Sequence, residues 1–214
     1  MSITSSTDTK AVIFDFDGTL ADSFPVFVRA LATVLKRPPF TPQEIANLRQ
    51  YPVLEVMKVL KVKKWQLPWL VPKGLREIDR HQAEITIFPE VAKMLSMLRD
   101  DGYKLYIVSS HSGQGIRDFL KQYDLIDHFS AIYSKVGLFG KPKALQKLLR
   151  EQGYTGSQCL FVGDEIRDIE AARKAKTRCA AVAWGFNAKK ALQSHQPDLV
   201  VDSPQQLYET LAAR

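Results

Sequence analysis

The fold of this chain of 214 residues is decided by the stretch Ala11-Val12-Ile13-Phe14-Asp15-Phe16-Asp17-Gly18-Thr19-Leu20. Its apolar beginning predicts a buried strand, and its carboxylates and glycine predict a strand end followed by a turn. Because side chains alternate along a strand, Asp15 and Asp17 should face one site together. Two carboxylates so close repel each other or raise the pKa of one of them, and a divalent cation between them offsets the repulsion. An Asp-rich turn explains either aspartate alone, but not the polar groups that follow later strands.

Three further motifs stand at the ends of predicted strands or at the start of a predicted helix. They are Ser109-Ser110-His111-Ser112 after the strand 103–108, Lys141 at the start of the run 141–145, and Gly163-Asp164-Glu165-Ile166-Arg167-Asp168 after the strand 159–162. Together the motifs read Asp-x-Asp-Gly-Thr, a strand-end Ser, a Lys and Gly-Asp-x-x-x-Asp. In this order they resemble the haloacid dehalogenase (HAD) superfamily of phosphotransferases, over essentially the whole chain from about Lys10.

Strand-like and helix-like segments alternate in the second half of the chain. The predicted helices are 90–98, 112–123, 142–152, 166–175 and one from 204, and the predicted strands are 103–109, 131–133, 159–163, 179–184 and 198–201. This alternation predicts an α/β fold, a Rossmann-like parallel sheet core with helices on both faces. Ligands bind such sheets outside the carboxyl ends of the strands, where the motif residues fall.

The segment 21–84 differs, because it carries helical patterns and no convincing strand. The resemblance implies a small all-helical cap inserted after the first strand. We therefore predict a catalytic core of residues 1–20 and 85–214 and a cap of residues 21–84, with hinges near Asp22-Ser23 and 86–89. A helical layer packed permanently on the core is the alternative. Trp65 and Trp69, one helical turn apart, are predicted to belong to the cap's own core.

The resemblance assigns catalytic roles to four residues. Asp15 would be the nucleophile that forms an aspartyl-phosphate, and Asp17 would protonate the leaving oxygen and then activate water. The second role needs a raised pKa, which the neighbouring carboxylate is expected to supply to Asp17. Ser109 and Lys141 would neutralise the developing charge of the phosphoryl group.

The resemblance also implies a magnesium site. Asp15, Asp164 and the backbone carbonyl of Asp17 would be its protein ligands, since Mg²⁺ prefers oxygen donors. Asp168 would either bind the ion through water or hold Lys141. Glu165, which opens the following helix, is expected to lie outside the site.

Three residues are predicted to touch the substrate: Thr19, Ser110 and Arg49. A helix-capping role is the alternative for Ser109, although Ser110 or Ser112 would fill that role better. For Arg49 a surface salt bridge is equally compatible with the sequence. His111 is interpreted as a polar residue at a helix start, with a substrate contact left open. The turn 184–187 is interpreted as structural, with weak contact to the edge of the site. Two positions depart from the family pattern, since Glu90 and Lys176 stand where glycine is frequent.

The predicted function is hydrolysis of a small phosphate monoester, phosphoglycolate or another phosphometabolite, by a Mg²⁺-dependent phosphatase. A dehalogenase would lack the general acid that Asp17 provides. Alternatives are a sugar-phosphate mutase, a phosphonatase or a non-catalytic protein that binds a phosphorylated ligand. A phosphonatase would need a cap amine, for which the candidates are Lys58, Lys61, Lys63 and Lys64.

Composition limits the partners and the location. The net charge is +7, but the basic residues are dispersed apart from the cluster 61–64, so we predict neither a nucleic-acid partner nor an anionic-membrane partner. No apolar run reaches the ~20 residues that span a bilayer, and we predict no membrane partner. The start of the chain lacks the features of a secretory signal, and Cys159 and Cys179 are predicted to be buried thiols. We expect a cytoplasmic monomer or homodimer.

Overall fold

The computed structural model describes residues 9–137 and 140–213. The strands are β1 (Ala11–Phe14), β2 (Ala21–Asp22), β3 (Thr86–Ile87), β4 (Lys104–Val108), β5 (Phe129–Tyr133), β6 (Cys159–Gly163), β7 (Arg178–Val182) and β8 (Leu199–Val201). The α-helices are α1 (Phe24–Val34), α2 (Pro42–Leu48), α3 (Val53–Val59), α4 (Leu67–Arg80), α5 (Val91–Asp100), α6 (Gly113–Gln122), α7 (Lys141–Gln152), α8 (Ile166–Ala175), α9 (Lys189–Ser194) and α10 (Pro204–Ala212).

Six strands form one parallel sheet in the order β5-β4-β1-β6-β7-β8. β1 is entirely buried, and its last residue, Phe14, pairs with Ile107 of β4 and Val162 of β6. A strand covered on both faces needs an apolar side chain at every position, which β1 has. One apolar cluster lies on each face of the sheet. The predicted α/β fold with a parallel sheet is confirmed.

Local signals explain where the helices of the core begin and end. The side chain of Ser112 accepts a hydrogen bond from the backbone of Gly115, so Ser112 is the residue that caps α6. Gly153 ends α7 in the left-handed conformation. Glu90 and Lys176 also have positive φ angles, of 64° and 59°. The two departures from the family's glycines therefore fall where the backbone favours glycine.

Two observations differ from the predicted elements. The helix α9 was not predicted, because its six residues are too short for a clear periodic pattern. β2 and β3 pair antiparallel where the hinges of the predicted cap were placed, with Ala21 opposite Ile87 and Asp22 opposite Thr86. The segment between them is helical and has its own small apolar cluster, formed by Ala32, Phe40, Leu48 and Val56.

The prediction that Trp65 and Trp69 lie in the core of the helical segment is wrong. Their exposed fractions are 67% and 70%. The helix α4 packs against α1, and the stripe of half-buried residues on α4 is Leu67, Leu70, Gly74, Glu77 and Ile78. Trp69 lies on the opposite side of the helix from this stripe, and Trp65 precedes the helix.

The two cysteines are buried free thiols, as predicted. Within the described ranges, no helix combines the length and the apolar composition that crossing a membrane requires.

Candidate active site

The predicted catalytic residues meet at the carboxyl end of the sheet. Asp15 directly follows β1, Ser109 follows β4 and Asp164 follows β6. Because these strands are parallel neighbours, their ends lie side by side. The first residue of α7, Lys141, reaches into the same place, and all four side chains are buried.

Lys141 is held between two carboxylates. Its Nζ donates hydrogen bonds to Oδ2 of Asp15 and, at 2.5 Å, to Oδ1 of Asp168. Burial raises the pKa of Asp15 to about 7, although the positive charge of Lys141 opposes this rise. Burial alone would lower the pKa of Lys141, but the two carboxylates outweigh it and raise that pKa. Lys141 is therefore a fixed cation beside Asp15.

The carboxylates of Asp15, Asp164 and Asp168 form an acidic cluster, with ligand oxygens within 4.8 Å of one another. Burial and then the negative charge of neighbouring carboxylates raise the pKa of Asp164 well above its usual value. A buried group of carboxylate oxygens with a single lysine fits a hard divalent cation, whose charge would relieve the repulsion. Both oxygens of Asp168 already accept hydrogen bonds, one from Lys141 and one from the backbone of Glu165. This geometry favours the second predicted role of Asp168, holding Lys141.

Asp17 pairs with His111 rather than with Asp15. Nδ1 of His111 lies 3.1 Å from Oδ2 of Asp17. Enclosure by the protein would raise the pKa of Asp17, but the hydrogen bond and the charge of His111 lower it overall. The predicted rise is wrong, because the expectation considered the neighbouring carboxylate and left out a cationic partner. Conversely, burial would lower the pKa of His111, and Asp17 raises it overall.

His111 is thus a site residue that the sequence interpretation missed. Its backbone N–H donates to Oγ of Ser109 at 3.1 Å, which ties its loop to the strand-end serine. The centroid of its ring lies 5.1 Å from the ring centroid of Phe16. In the sequence, Phe16 is the residue between the two aspartates of the first motif. The available signal was its position two residues after Ser109, before the residue that caps α6.

The predicted substrate contacts have partners within the protein. Thr19 is buried, and its hydroxyl donates to Oδ1 of Asp164 at 2.8 Å. The hydroxyl of Ser110 donates to the carbonyl of Gly137 at 3.1 Å. The guanidinium of Arg49 donates to the carbonyls of Gly185 at 2.5 Å and Phe186 at 3.1 Å. Their contacts with a substrate stay predictions.

The turn 184–187 contacts the acidic cluster directly, which is more than the weak edge contact predicted. The backbone N–H of Phe186 donates to Oδ2 of Asp164 at 2.6 Å. Oδ1 of Asn187 accepts from the backbone of Ile166 at 2.9 Å, at the start of α8. A Cβ atom on Gly185 would lie 2.2 Å from the carbonyl oxygen of Gly18 and 2.3 Å from Cβ of Asp164. Only glycine fits there, because real Cβ atoms do not approach so closely.

Arg167 is a second residue that the sequence interpretation missed. Its guanidinium pairs with Glu165 at 2.5 Å. Its positive charge also opposes the burial that raises the pKa of Asp15. Glu165 itself precedes α8, and its negative charge is one of the causes that raise the pKa of Asp164. That Glu165 lies outside the site stays a prediction.

Comparison with known proteins identifies the family. The family described as "Haloacid dehalogenase-like hydrolase" matches residues 12–182. The chain belongs to this family. A phosphoglycolate phosphatase of Synechococcus elongatus is 34% identical over 205 residues, or 94% of this chain and 97% of the relative. A 5'-nucleotidase of Pseudomonas aeruginosa is 27% identical over 195 residues, or 87% of this chain and 88% of the relative.

Solved structures of haloacid dehalogenase-like proteins share the fold. A hydrolase of this family from Streptococcus pneumoniae has a TM-score of 0.79 at 23% identity, covering 94% of this chain and 97% of that chain. A predicted phosphoglycolate phosphatase from Haemophilus somnus has a TM-score of 0.75 at 21% identity, covering 96% of this chain and 99% of that chain. The comparisons confirm the predicted family and the prediction of an enzyme, a phosphoric monoester hydrolase of that family.

Proposed function

We propose that this enzyme is a Mg²⁺-dependent phosphatase that hydrolyses a small phosphate monoester through a phosphorylated Asp15. The observation that carries the proposal is the position of Lys141, buried between Asp15 and Asp168 beside Asp164. A buried lysine next to a carboxylate suits a site that receives a phosphoryl group, because its charge is fixed before the substrate arrives. The names of the relatives support phosphoglycolate or a similar phosphometabolite as the substrate.

In the first step the carboxylate of Asp15 attacks phosphorus. The bond between phosphorus and the ester oxygen breaks, and Asp17 gives a proton to that leaving oxygen. The proton can come from His111, whose Nδ1 lies 3.1 Å from Asp17. Lys141 and the hydroxyl of Ser109 would offset the charge that develops on the phosphoryl oxygens.

In the second step water attacks phosphorus and Asp17 takes its proton. The bond between phosphorus and the oxygen of Asp15 breaks, which releases inorganic phosphate and restores the free carboxylate. Asp15, Asp164 and the backbone carbonyl of Asp17 would hold Mg²⁺, which neutralises phosphate charge when bound. Asp168 would hold Lys141, and Thr19 would fix Asp164.

We further propose that residues 21–84 form a cap over the site, with the paired strands β2 and β3 at its two connections. Access of water to a phosphoenzyme profits from such control. Arg49 joins the helical segment to the turn that holds Asp164, which supports a role of the cap in completing the site. A cytoplasmic location, and a monomer or homodimer, complete the proposal.

The test is phosphate release from a panel of small phosphomonoesters, including phosphoglycolate, nucleoside monophosphates and sugar phosphates, with and without Mg²⁺. Turnover that requires both Mg²⁺ and Asp15 is the expected result. Asp15→Asn should abolish it, and Asp118→Asn, an exposed position on α6, should not. A sugar phosphate that is isomerised without phosphate release would instead indicate a mutase. Binding without turnover of any compound would indicate a phospho-ligand binding protein.

A further inference from the structure

The outer end of the helical segment exposes large apolar side chains. Five of them are exposed in the described part of the chain, all between residues 59 and 75: Val59, Trp65, Trp69, Val71 and Leu75. Helix α4, which carries three of them, has no buried residue along its 14 positions. Large apolar side chains exposed within one short segment mark a surface that a partner covers. On α4, Trp69 lies on the same side as Lys73 and Arg76, whereas Val71 lies on the opposite side of the helix.

The same stretch is strongly basic. Between residues 58 and 76 the chain has six cationic side chains and no carboxylate: Lys58, Lys61, Lys63, Lys64, Lys73 and Arg76. All six are exposed. None of them forms a salt bridge with any residue of the described ranges. The six charges are therefore free to act on a partner.

The part of this basic-apolar surface, residues 58–76, that carries Trp69 lies away from the candidate active site. Just beyond the C-terminal end of α4, Gln82 lies beside Gly115 at the start of α6. Trp69 is near the other end, about 16 Å along the helix axis from Arg80. Trp69 is thus not needed to line the site.

We propose that the basic-apolar surface binds anionic lipid bilayers, with Trp65 and Trp69 inserted at the interface. Tryptophan and aliphatic side chains beside lysines are the composition of interfacial membrane-binding segments. Lysine is drawn to anionic headgroups, whereas it is depleted at protein–protein interfaces. Valine and leucine add nothing to a nucleic-acid site, which uses aromatic stacking. If a second copy of the chain bound through the same surface, six positive charges would face six positive charges and repel one another.

This inference departs from the sequence-based prediction of no membrane partner. That prediction rested on the absence of a spanning segment and on the dispersal of charge along the whole chain. Binding at the surface of a bilayer needs neither a spanning helix nor a high overall charge, since one local patch of charge and apolar area is sufficient. Residues 58–76 provide both.

The experiment is sedimentation of the full chain with vesicles of phosphatidylcholine alone or of phosphatidylcholine with phosphatidylglycerol. We expect binding to the anionic vesicles only, weakened by salt. Lys61→Gln/Lys63→Gln/Lys64→Gln should weaken it by roughly fivefold for each lysine removed. The matched control Lys104→Gln/Lys121→Gln/Lys143→Gln, at exposed positions elsewhere, should leave it unchanged.

Insertion has its own readout in tryptophan fluorescence. The third tryptophan, Trp184, is half-buried and donates to the carbonyl of Thr19, so it serves as an internal reference. Anionic vesicles should shift the emission of the wild type to shorter wavelength and leave Trp65→Phe/Trp69→Phe unshifted. Trp65→Ala/Trp69→Ala should bind at least tenfold more weakly, with an unchanged circular dichroism spectrum.

Three results would overturn the proposal. One is the absence of binding to anionic vesicles at low salt. Another is binding that the tryptophan substitutions do not weaken, which would indicate adsorption by charge alone. The third is tight, salt-sensitive binding to single-stranded DNA, or dimerisation lost in the tryptophan variant, without vesicle binding. Phosphatase turnover of a soluble substrate has no part in these readouts.

Discussion

His111 and Asp17 form a hydrogen-bonded pair, with Nδ1 of the ring 3.1 Å from Oδ2 of the carboxylate. The pair joins the turn after β1 to the loop after β4. Two neighbouring strand ends therefore hold the two side chains between which a proton can move. Asp17 stands in the general acid position of the proposed mechanism. A residue that holds its carboxylate in place should therefore influence turnover without touching the nucleophile.

We expect His111→Ala to lower kcat by about 10- to 100-fold and to change KM little. This is less than the roughly 100- to 10,000-fold that a general acid or base itself contributes, because His111 acts through Asp17. Loss of the ring leaves Asp17 without its partner, but leaves Lys141 and the acidic cluster intact. Steady-state kinetics would measure both constants. His195→Ala is the control, since His195 directly follows α9 and lies outside the candidate site. An unchanged kcat in His111→Ala would show that the pair is only structural.

Mg²⁺ should stabilise the folded protein, because it relieves the repulsion between Asp15 and Asp164. At a Mg²⁺ concentration one hundred times Kd the gain is about 2.7 kcal/mol, or a rise in Tm of roughly 5–10 °C. Thermal unfolding with and without Mg²⁺ measures the shift. Asp164→Asn should remove most of it, and Asp118→Asn should retain it. Equal shifts in all three proteins would mean that the ion binds elsewhere.

Gly185→Ala should reduce Mg²⁺ binding and activity although residue 185 is not a ligand. The added Cβ would lie 2.3 Å from Cβ of Asp164 and 2.2 Å from the backbone oxygen of Gly18, so Asp164 must move. We expect at least a tenfold loss of kcat/KM and a smaller Mg²⁺-dependent rise in Tm. Gly74→Ala on α4 is the matched control, since a Cβ there meets nothing within 4 Å. Wild-type activity in Gly185→Ala would contradict the tight packing of this turn.

Arg49→Lys distinguishes a positioning role from a substrate contact. The guanidinium of Arg49 uses two different nitrogens to donate to the carbonyls of Gly185 and Phe186. A lysine has only one nitrogen and cannot reproduce both hydrogen bonds in this geometry. If Arg49 positions this turn, kcat/KM should fall by a similar factor for every phosphomonoester tested. Arg37→Lys, another arginine of the helical segment, should have little effect. A fall confined to substrates with one particular distal group would instead support the predicted substrate contact.

Lys176→Gly should stabilise the fold. Lys176 follows α8 with φ of 59°, a conformation that costs a residue with Cβ about 1–2 kcal/mol and costs glycine almost nothing. Part of this gain is lost to the greater entropy of glycine in the unfolded chain, so we expect about 0.5–1 kcal/mol in urea unfolding. Lys174→Gly, inside the same helix, should destabilise by about 1 kcal/mol. Destabilisation by both substitutions would refute the conformational explanation.

The parallel core could be predicted from the sequence because its signals are local. β1 is a run of four apolar residues, and the helices α6 and α7 begin or end at Ser112 and Gly153. The positions of the motif residues could be predicted for the same reason, because each motif stands directly after a strand or at the start of a helix. Parallel strands bring those positions together without any further information.

The features that were missed depend on contacts between distant parts of the chain. His111 and Asp17 are 94 residues apart, and Phe186 and Asp164 are 22 apart. No periodic pattern tells which way a loop side chain points. Trp69 was misplaced for a different reason, since α4 is apolar on more than one side and periodicity does not say which side packs.

The central claim is that Asp15 carries the phosphoryl group. The most direct measurement is mass spectrometry of the protein quenched in acid during turnover of an active phosphomonoester with Mg²⁺. The account predicts one added phosphoryl group on the peptide that contains Asp15, removed by hydroxylamine and absent from Asp15→Asn. Two results would contradict the account. One is turnover without any phosphorylated peptide in a rapid-quench time course, and the other is undiminished activity of Asp15→Asn.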